Sequence, residues 1–240
     1  MKKLLLHICC APDQTVAFER TREEFQVTGF FSNSCIEPRG EYYRRLADAK
    51  RLAEMQGMEL LEDEYFPNSF LELSKGLEKE PERGRRCLKC IEYRLRRTAE
   101  AAALNGFEYF ATTLTVSPHK DADFINRKGT ELALEFDIEY LQTNFKKQDG
   151  FKRSLELSAE MNLYRQDYCG CRFSLRDKLE RQKQREDEAF VKGEGETEAV
   201  KTNKRLSAKD KIEYNFPPGA FFKPEDQVSR RFRGKDRKKG

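Results

Sequence analysis

An α/β fold, with a parallel sheet flanked by helices and a helical C-terminal part, is predicted for this 240-residue chain by three observations. Short apolar runs of strand length alternate with longer segments whose apolar residues recur at helical spacing. The strand-like runs are separated by whole helices rather than by tight hairpin turns, which is the arrangement a parallel sheet requires. No segment repeats at a fixed period.

Taken in order, Lys3 to Ile8 is a continuous apolar strand ending at Cys9-Cys10-Ala11-Pro12, where Pro12 suits the first turn of a helix. Val27 to Phe31 is the second strand. Glu41 to Gln56 carries helical spacing and stops at Gly57, and Met58 to Leu61 returns to a strand. Phe70 to Leu77 reads as a short helix, and Glu78 to Arg86 as a polar loop. The alanine-rich stretch from Cys87 to Leu104 is a helix ended by Asn105-Gly106. Phe107 to Leu114 is a strand, Asp121 to Phe136 a helix and Ile138 to Leu141 a last short strand. Helical patterns follow at Asp149 to Asn162 and Arg172 to Ala189, with Cys169-Gly170-Cys171 in the connection between them.

Residues 1–190 therefore read as one α/β domain with its helical extension, and 191–240 as a linker and tail. Lys192 to Glu198 is polar and Gly-containing. Ile212 to Phe222 is aromatic, and Arg230 to Lys239 is strongly basic. The net charge is only +4, but such a run is a local patch suited to a polyanion, or else a solvated terminus. No run approaches the ~20 apolar residues of a membrane helix, and Met1-Lys2-Lys3 with three leucines is too brief for a signal peptide, so a cytoplasmic protein without membrane contact is expected.

Six of the seven cysteines fall in three close pairs, Cys9-Cys10, Cys87-x-x-Cys90 and Cys169-Gly170-Cys171. In an intracellular chain they read as metal ligands rather than as a disulfide framework. Cys87 and Cys90 stand one turn apart at a helix start, where the macrodipole favours thiolates, and Arg85 and Arg86 offset negative charge. Ligands in an open α/β sheet gather outside the carboxyl ends of the strands, which is where Cys9-Cys10 and Thr112 to Asp121 belong. Asp13, one turn into the first helix, is either a ligand or a first-turn residue complementing the dipole. Six thiolates exceed the four ligands of a structural zinc. The surplus fits a cluster together with either a second metal or a thiol pair at Cys169 and Cys171 that cycles with a disulfide. Cys35 stands alone and is left outside this set.

The stretches Leu5 to Pro12, Cys87-Leu88-Lys89-Cys90 with Tyr93-Arg94, Thr112-Thr113-Leu114 with Ser117 to Asp121, Asn144 to Lys147 with Gly150-Phe151, and Tyr164 to Ser174 together resemble the QueH-type epoxyqueuosine reductases. The resemblance covers about residues 3 to 180. It implies a fold similar to the adenine nucleotide alpha-hydrolase group, a [4Fe-4S] cluster, and reduction of epoxyqueuosine to queuosine at the wobble position of tRNA, with electrons from an external donor. Carried over residue by residue, it implies Cys9, Cys10, Cys87 and Cys90 as cluster ligands, and Cys169 and Cys171 as a redox pair or as ligands to an additional iron. Asn33-Ser34-Cys35-Ile36 departs from the Asn-Pro-Asn-Ile pattern associated with the family after the second strand.

Removing an epoxide oxygen as water takes two electrons, protons and an acid on the oxygen. His119, Asp121 and Tyr164 are candidate proton donors, with His7, Lys120 and Tyr168 beside them. Two other readings compete. An ATP-dependent tRNA thiolase of related fold needs a glycine-rich phosphate loop where this chain has Cys-Cys-Ala-Pro. A structural-zinc RNA-binding protein would leave cysteines over, and would be colourless.

Overall fold

The computed structural model describes residues 1–191; the expected linker, aromatic segment and basic tail beyond Val191 lie outside the described residues. The chain divides into two compact units, Met1–Leu175 and a second that begins at Arg176.

In the first unit five parallel strands form one sheet in the order β3-β2-β1-β4-β5. They are β1 (Lys2–His7), β2 (Phe25–Phe31), β3 (Glu59–Glu62), β4 (Tyr109–Thr112) and β5 (Glu139–Tyr140). Strand order reverses at β1, which pairs with β2 on one side and β4 on the other. That is the switch point at which doubly wound sheets open a crevice, and the layout matches the α/β class expected from the sequence.

The apolar run of β1 is buried on both faces. Leu4, Leu6 and Ile8 point into a core shared with Val16 and Ala17 of α1 (Ala11–Thr21) and with Tyr42, Leu46, Ala49 and Ala53 of α2 (Arg39–Gln56). Leu5 points the other way, into a core with Leu95 and Ala99 of α4 (Arg85–Leu104) and Ile125 and Leu132 of α5 (Ala122–Phe136). Helix α3 (Pro67–Leu73) precedes α4, α6 (Gly150–Glu160) follows β5, and α7 (Arg172–Val191) runs from the first unit into the second.

Several boundaries shift from their sequence positions, with identifiable causes. Helix α2 starts at Arg39 instead of Glu41 and, as expected, runs to Gln56 and stops at Gly57, whose φ of 63° lets its N–H reach back to the carbonyls of Ala53 and Glu54. Strand β4 stops at Thr112 instead of Leu114, because the Thr112 hydroxyl accepts the Leu114 N–H at 3.1 Å and turns the chain into a 3-10 segment at Thr113–Val116. Helix α4 begins two residues before Cys87, at Arg85.

Candidate metal centre

The ends of β1, β2 and β4 are tied together by His7. Its ring is fully buried, with Nε2 donating to the Ser32 carbonyl at 3.1 Å and Nδ1 accepting from the Thr112 hydroxyl at 3.0 Å. Burial and the nearby Arg94 guanidinium push its pKa down to about 3, so the ring is neutral. His7 is thus a tie between strands.

Immediately beyond it lie Cys9, Cys10 and Asp13, whose two sulfurs and one carboxylate oxygen all sit within 4.8 Å of one another. All three are buried. The Cys9 thiol donates to Asp13 Oδ2 at 3.1 Å and accepts from the Thr113 hydroxyl at 3.1 Å, and Gln166 Nε2 donates to Cys10 Sγ at 3.2 Å. Pro12 allows α1 to start at once, and the i to i+4 spacing brings Asp13 beneath Cys9. Contact with Cys10 and burial raise the Cys9 thiol well above its ordinary range, and burial raises Asp13. The Cys9 thiol therefore holds its proton tightly in the absence of a cation; a divalent metal would displace it.

The other cysteines come from three distant segments. Cys87 and Cys90 stand on the first turns of α4, while Cys169 and Cys171 flank Gly170 at the start of α7. Gly170 has φ 125°, and a side chain there would press on Arg45 and Ile36, so this position requires glycine. Cys87 receives the Arg83 backbone N–H at 3.2 Å, and burial raises its thiol, with Cys169 and Cys171 adding to the effect. All seven cysteines are free.

Cys35, set apart in the sequence reading, belongs with this second group. It is buried after β2, in hydrogen-bond contact with Cys90, and accepts a hydrogen bond from Arg94 Nη2. Burial alone would push the Cys35 thiol up. Its contacts with Cys90 and Arg94 outweigh that and bring it down to about 6, while contact with Cys35 raises Cys90. The signal in the sequence was its departure from the Asn-Pro-Asn-Ile pattern.

Basic groups ring the thiols. Buried Arg45 donates to Glu41 Oε1 at 2.6 Å and to the carbonyls of Cys169 and Tyr168 at 3.1 and 3.2 Å, fixing the Cys169 limb. Lys120 Nζ lies 4.0 Å from Cys169 Sγ, and its pKa is raised by the charges of Cys169, Cys9 and Asp13 against the opposing effect of burial. Lys120 is thus the candidate proton donor that faces the thiols directly, and the remaining candidates make other contacts. His119 is exposed and accepts from Arg83 Nη2 at 2.7 Å, and Asp121 caps α5 by accepting from the N–H groups of Asp123 and Phe124. Tyr164 donates to Glu41 Oε2 at 3.0 Å and is pushed up to about 12, chiefly by burial; Tyr168 donates to the Glu37 carbonyl at 2.8 Å.

A doubly wound sheet with buried Cys9, Cys10 and Asp13 at its switch point and five further free thiols defines a cysteine-rich α/β protein with donor atoms suited to a metal ion. The Epoxyqueuosine reductase QueH family matches residues 4–177. A protein of Streptococcus pyogenes serotype M1 named epoxyqueuosine reductase QueH is 41% identical over 174 residues, 70% of this chain and 68% of that one. Proteins of the same name from Staphylococcus epidermidis and Thermotoga maritima are 37% and 32% identical, covering 72% and 75% of this chain and 76% and 94% of theirs. The chain belongs to the epoxyqueuosine reductase QueH family. Among the described residues no helix is long and apolar enough to cross a membrane.

Proposed function

We propose that this chain reduces the epoxide of epoxyqueuosine in tRNA to the alkene of queuosine, consuming two electrons and two protons and releasing the oxygen as water. The observation that carries the reading is the buried set Cys9, Cys10 and Asp13 at the switch point of a chain of this family that holds five further free thiols.

The donor set fits iron. In place of the set Cys9, Cys10, Cys87 and Cys90 that the resemblance implies, Cys87, Cys90, Cys169 and Cys171 supply the four thiolates of a [4Fe-4S] cluster, and Cys9, Cys10 and Asp13, which group by themselves, supply two sulfurs and an oxygen for one additional iron. When bound, these groups deliver electrons singly and give the epoxide oxygen a Lewis acid. On this division Cys169 and Cys171 act as ligands rather than as a disulfide-cycling pair.

The side chains around them have separable tasks. Thr113 and Gln166 orient the Cys9 and Cys10 sulfurs through the hydrogen bonds described above. Lys120, facing Cys169, Cys9 and Asp13, stabilises developing negative charge on the leaving oxygen and delivers a proton to it. His119, at the exposed end of the same segment, contacts the incoming nucleoside, and Asp121 fixes the helix that follows. Tyr164, through Glu41, steadies Arg45 and hence Cys169. The catalytic machinery lies within residues 1–190, and the basic run Arg230 to Lys239 binds the RNA backbone.

The test is anaerobic purification with iron and sulfide quantified, followed by incubation of the reduced protein with tRNA bearing epoxyqueuosine and analysis of its nucleosides. Iron in excess of sulfide, with conversion to queuosine, supports the reading. Zinc in place of iron, or a full cluster with no epoxide loss, sinks it. Deleting residues 230–240 should flatten the dependence of tRNA affinity on salt.

A further inference from the structure

Three arginines in the first unit are buried, Arg45, Arg86 and Arg94, exposed by 3%, 1% and 5%. A buried guanidinium is costly unless its charge and N–H groups are matched. Arg45 is matched by the Glu41 carboxylate and two carbonyls. Arg86 donates through Nη1 to the carbonyls of Leu77, Glu78 and Glu80 and lies 4.4 Å from the Phe173 ring centre, while its Nε and Nη2 have no hydrogen-bond partner among the described residues.

Arg94 is matched by sulfur instead of oxygen. Its Nη2 donates to Cys35 Sγ, and its Nε has no hydrogen-bond partner among the described residues. The groups that favour its charge most are sulfurs: Cys35, Cys90, Cys169 and Cys9. This follows from α4 itself, since Cys87, Cys90 and Arg94 stand at i, i+3 and i+7 and share one stripe of the helix. A permanent cation thus faces a set of thiols that balance it once they are thiolates bound to metal.

We propose that Arg94, anchored by Cys35, is the built-in countercharge that raises the reduction potential of the iron–sulfur site held by Cys87, Cys90, Cys169 and Cys171. The inference rests on the reductase reading above. One electron entering the site adds one unit of negative charge with no proton, and a buried cation beside the ligand sulfurs stabilises that reduced form. Arg94 is in this sense a positioning and tuning residue, and Cys35 serves it without supplying a ligand. Lysine keeps the charge but lacks the planar fork that reaches Cys35.

The experiment is a dithionite titration of the anaerobically purified full chain, followed by electron paramagnetic resonance, with iron and sulfide measured on each sample. Arg94→Met should keep both and lose at least about tenfold in the equilibrium constant for one-electron reduction, which makes the midpoint about 59 mV more negative. Arg94→Lys should recover more than half of that shift. An unchanged midpoint in Arg94→Met with full iron and sulfide overturns the proposal while leaving the reductase reading intact. If Arg94→Met loses its iron, comparison of Arg94→Lys with Arg94→Gln decides: retention by lysine alone supports the charge role, and equal loss or equal retention overturns it. A wild-type protein without iron or sulfide removes the reductase reading, and this proposal with it.

Discussion

The two sides of the thiol basin are built in opposite ways. Cys9, Cys10 and Asp13 come from five consecutive positions on one strand-to-helix turn, and they mix two sulfurs with a carboxylate oxygen. Cys87, Cys90, Cys169 and Cys171 come from segments some eighty residues apart, offer sulfur alone, and depend on buried arginines that hold each limb. The first side is correct as soon as β1 and α1 form. The second is correct only when α2, α4 and the start of α7 have docked. A local site should therefore tolerate remote changes that a composite site cannot.

The largest effect expected is on activity. Cys9→Ala and Cys87→Ala should each lower epoxide reduction by more than about a thousandfold, because each removes several kcal/mol of metal-dependent stabilisation. Their metal contents should differ: Cys87→Ala loses sulfide together with iron, whereas Cys9→Ala loses iron and keeps its sulfide. Equal losses in both would abolish the distinction between the two sides.

Next is Arg45→Met, which leaves Glu41 buried beside a lost cation and should cost about 3 kcal/mol in urea unfolding. Sulfide should fall while iron bound at Cys9, Cys10 and Asp13 persists, because the carbonyls of Cys169 and Tyr168 lose their anchor. Lys120→Met should reduce kcat by about a hundredfold with KM and metal content nearly unchanged, as expected of a proton donor. A change confined to KM would make Lys120 a substrate contact.

His7 sharpens the comparison through pH, since it ties together the strands that serve both sides. In the unfolded chain it takes up a proton near pH 6.5, while in the fold it stays neutral down to about 3. Between these values the unfolded state binds more protons, so stability rises with pH and is lost on acidification. The contribution lost by pH 5 is about 2 kcal/mol relative to pH 8, and His7→Gln should remove that part of the slope in urea midpoints. The smallest effect is that of Cys35→Ala, which should retain the full iron and sulfide, in contrast to Cys90→Ala, since Cys35 is expected to anchor Arg94 rather than bind metal.

Much of this was legible in the order of residues. The leucine run of strand β1, the Pro12 helix start and the Gly57 stop are local signals, so the alternation of strands and helices followed from them. The cysteine pairs were visible because their partners are neighbours in the chain. The end of β4 was less so, because a Thr112 side-chain bond cuts the strand short in a run that still looks extended. The contact of Cys35 with Cys90 was not legible because a lone cysteine carries no spacing, and neither was the exposure of His119 beside Arg83 or the capping of α5 by Asp121.

By itself the sequence determined that this is a parallel α/β protein with thiols in three pairs, since strand burial, helix periodicity and turn residues act over a few positions. Only the tertiary structure decided which thiols share a wall, that Cys35 stands against Cys90, and that three arginines are buried around them. Those relations join residues tens to more than a hundred positions apart, and they exist only once closing the sheet has brought the ends of β1, β2 and β4 to one edge.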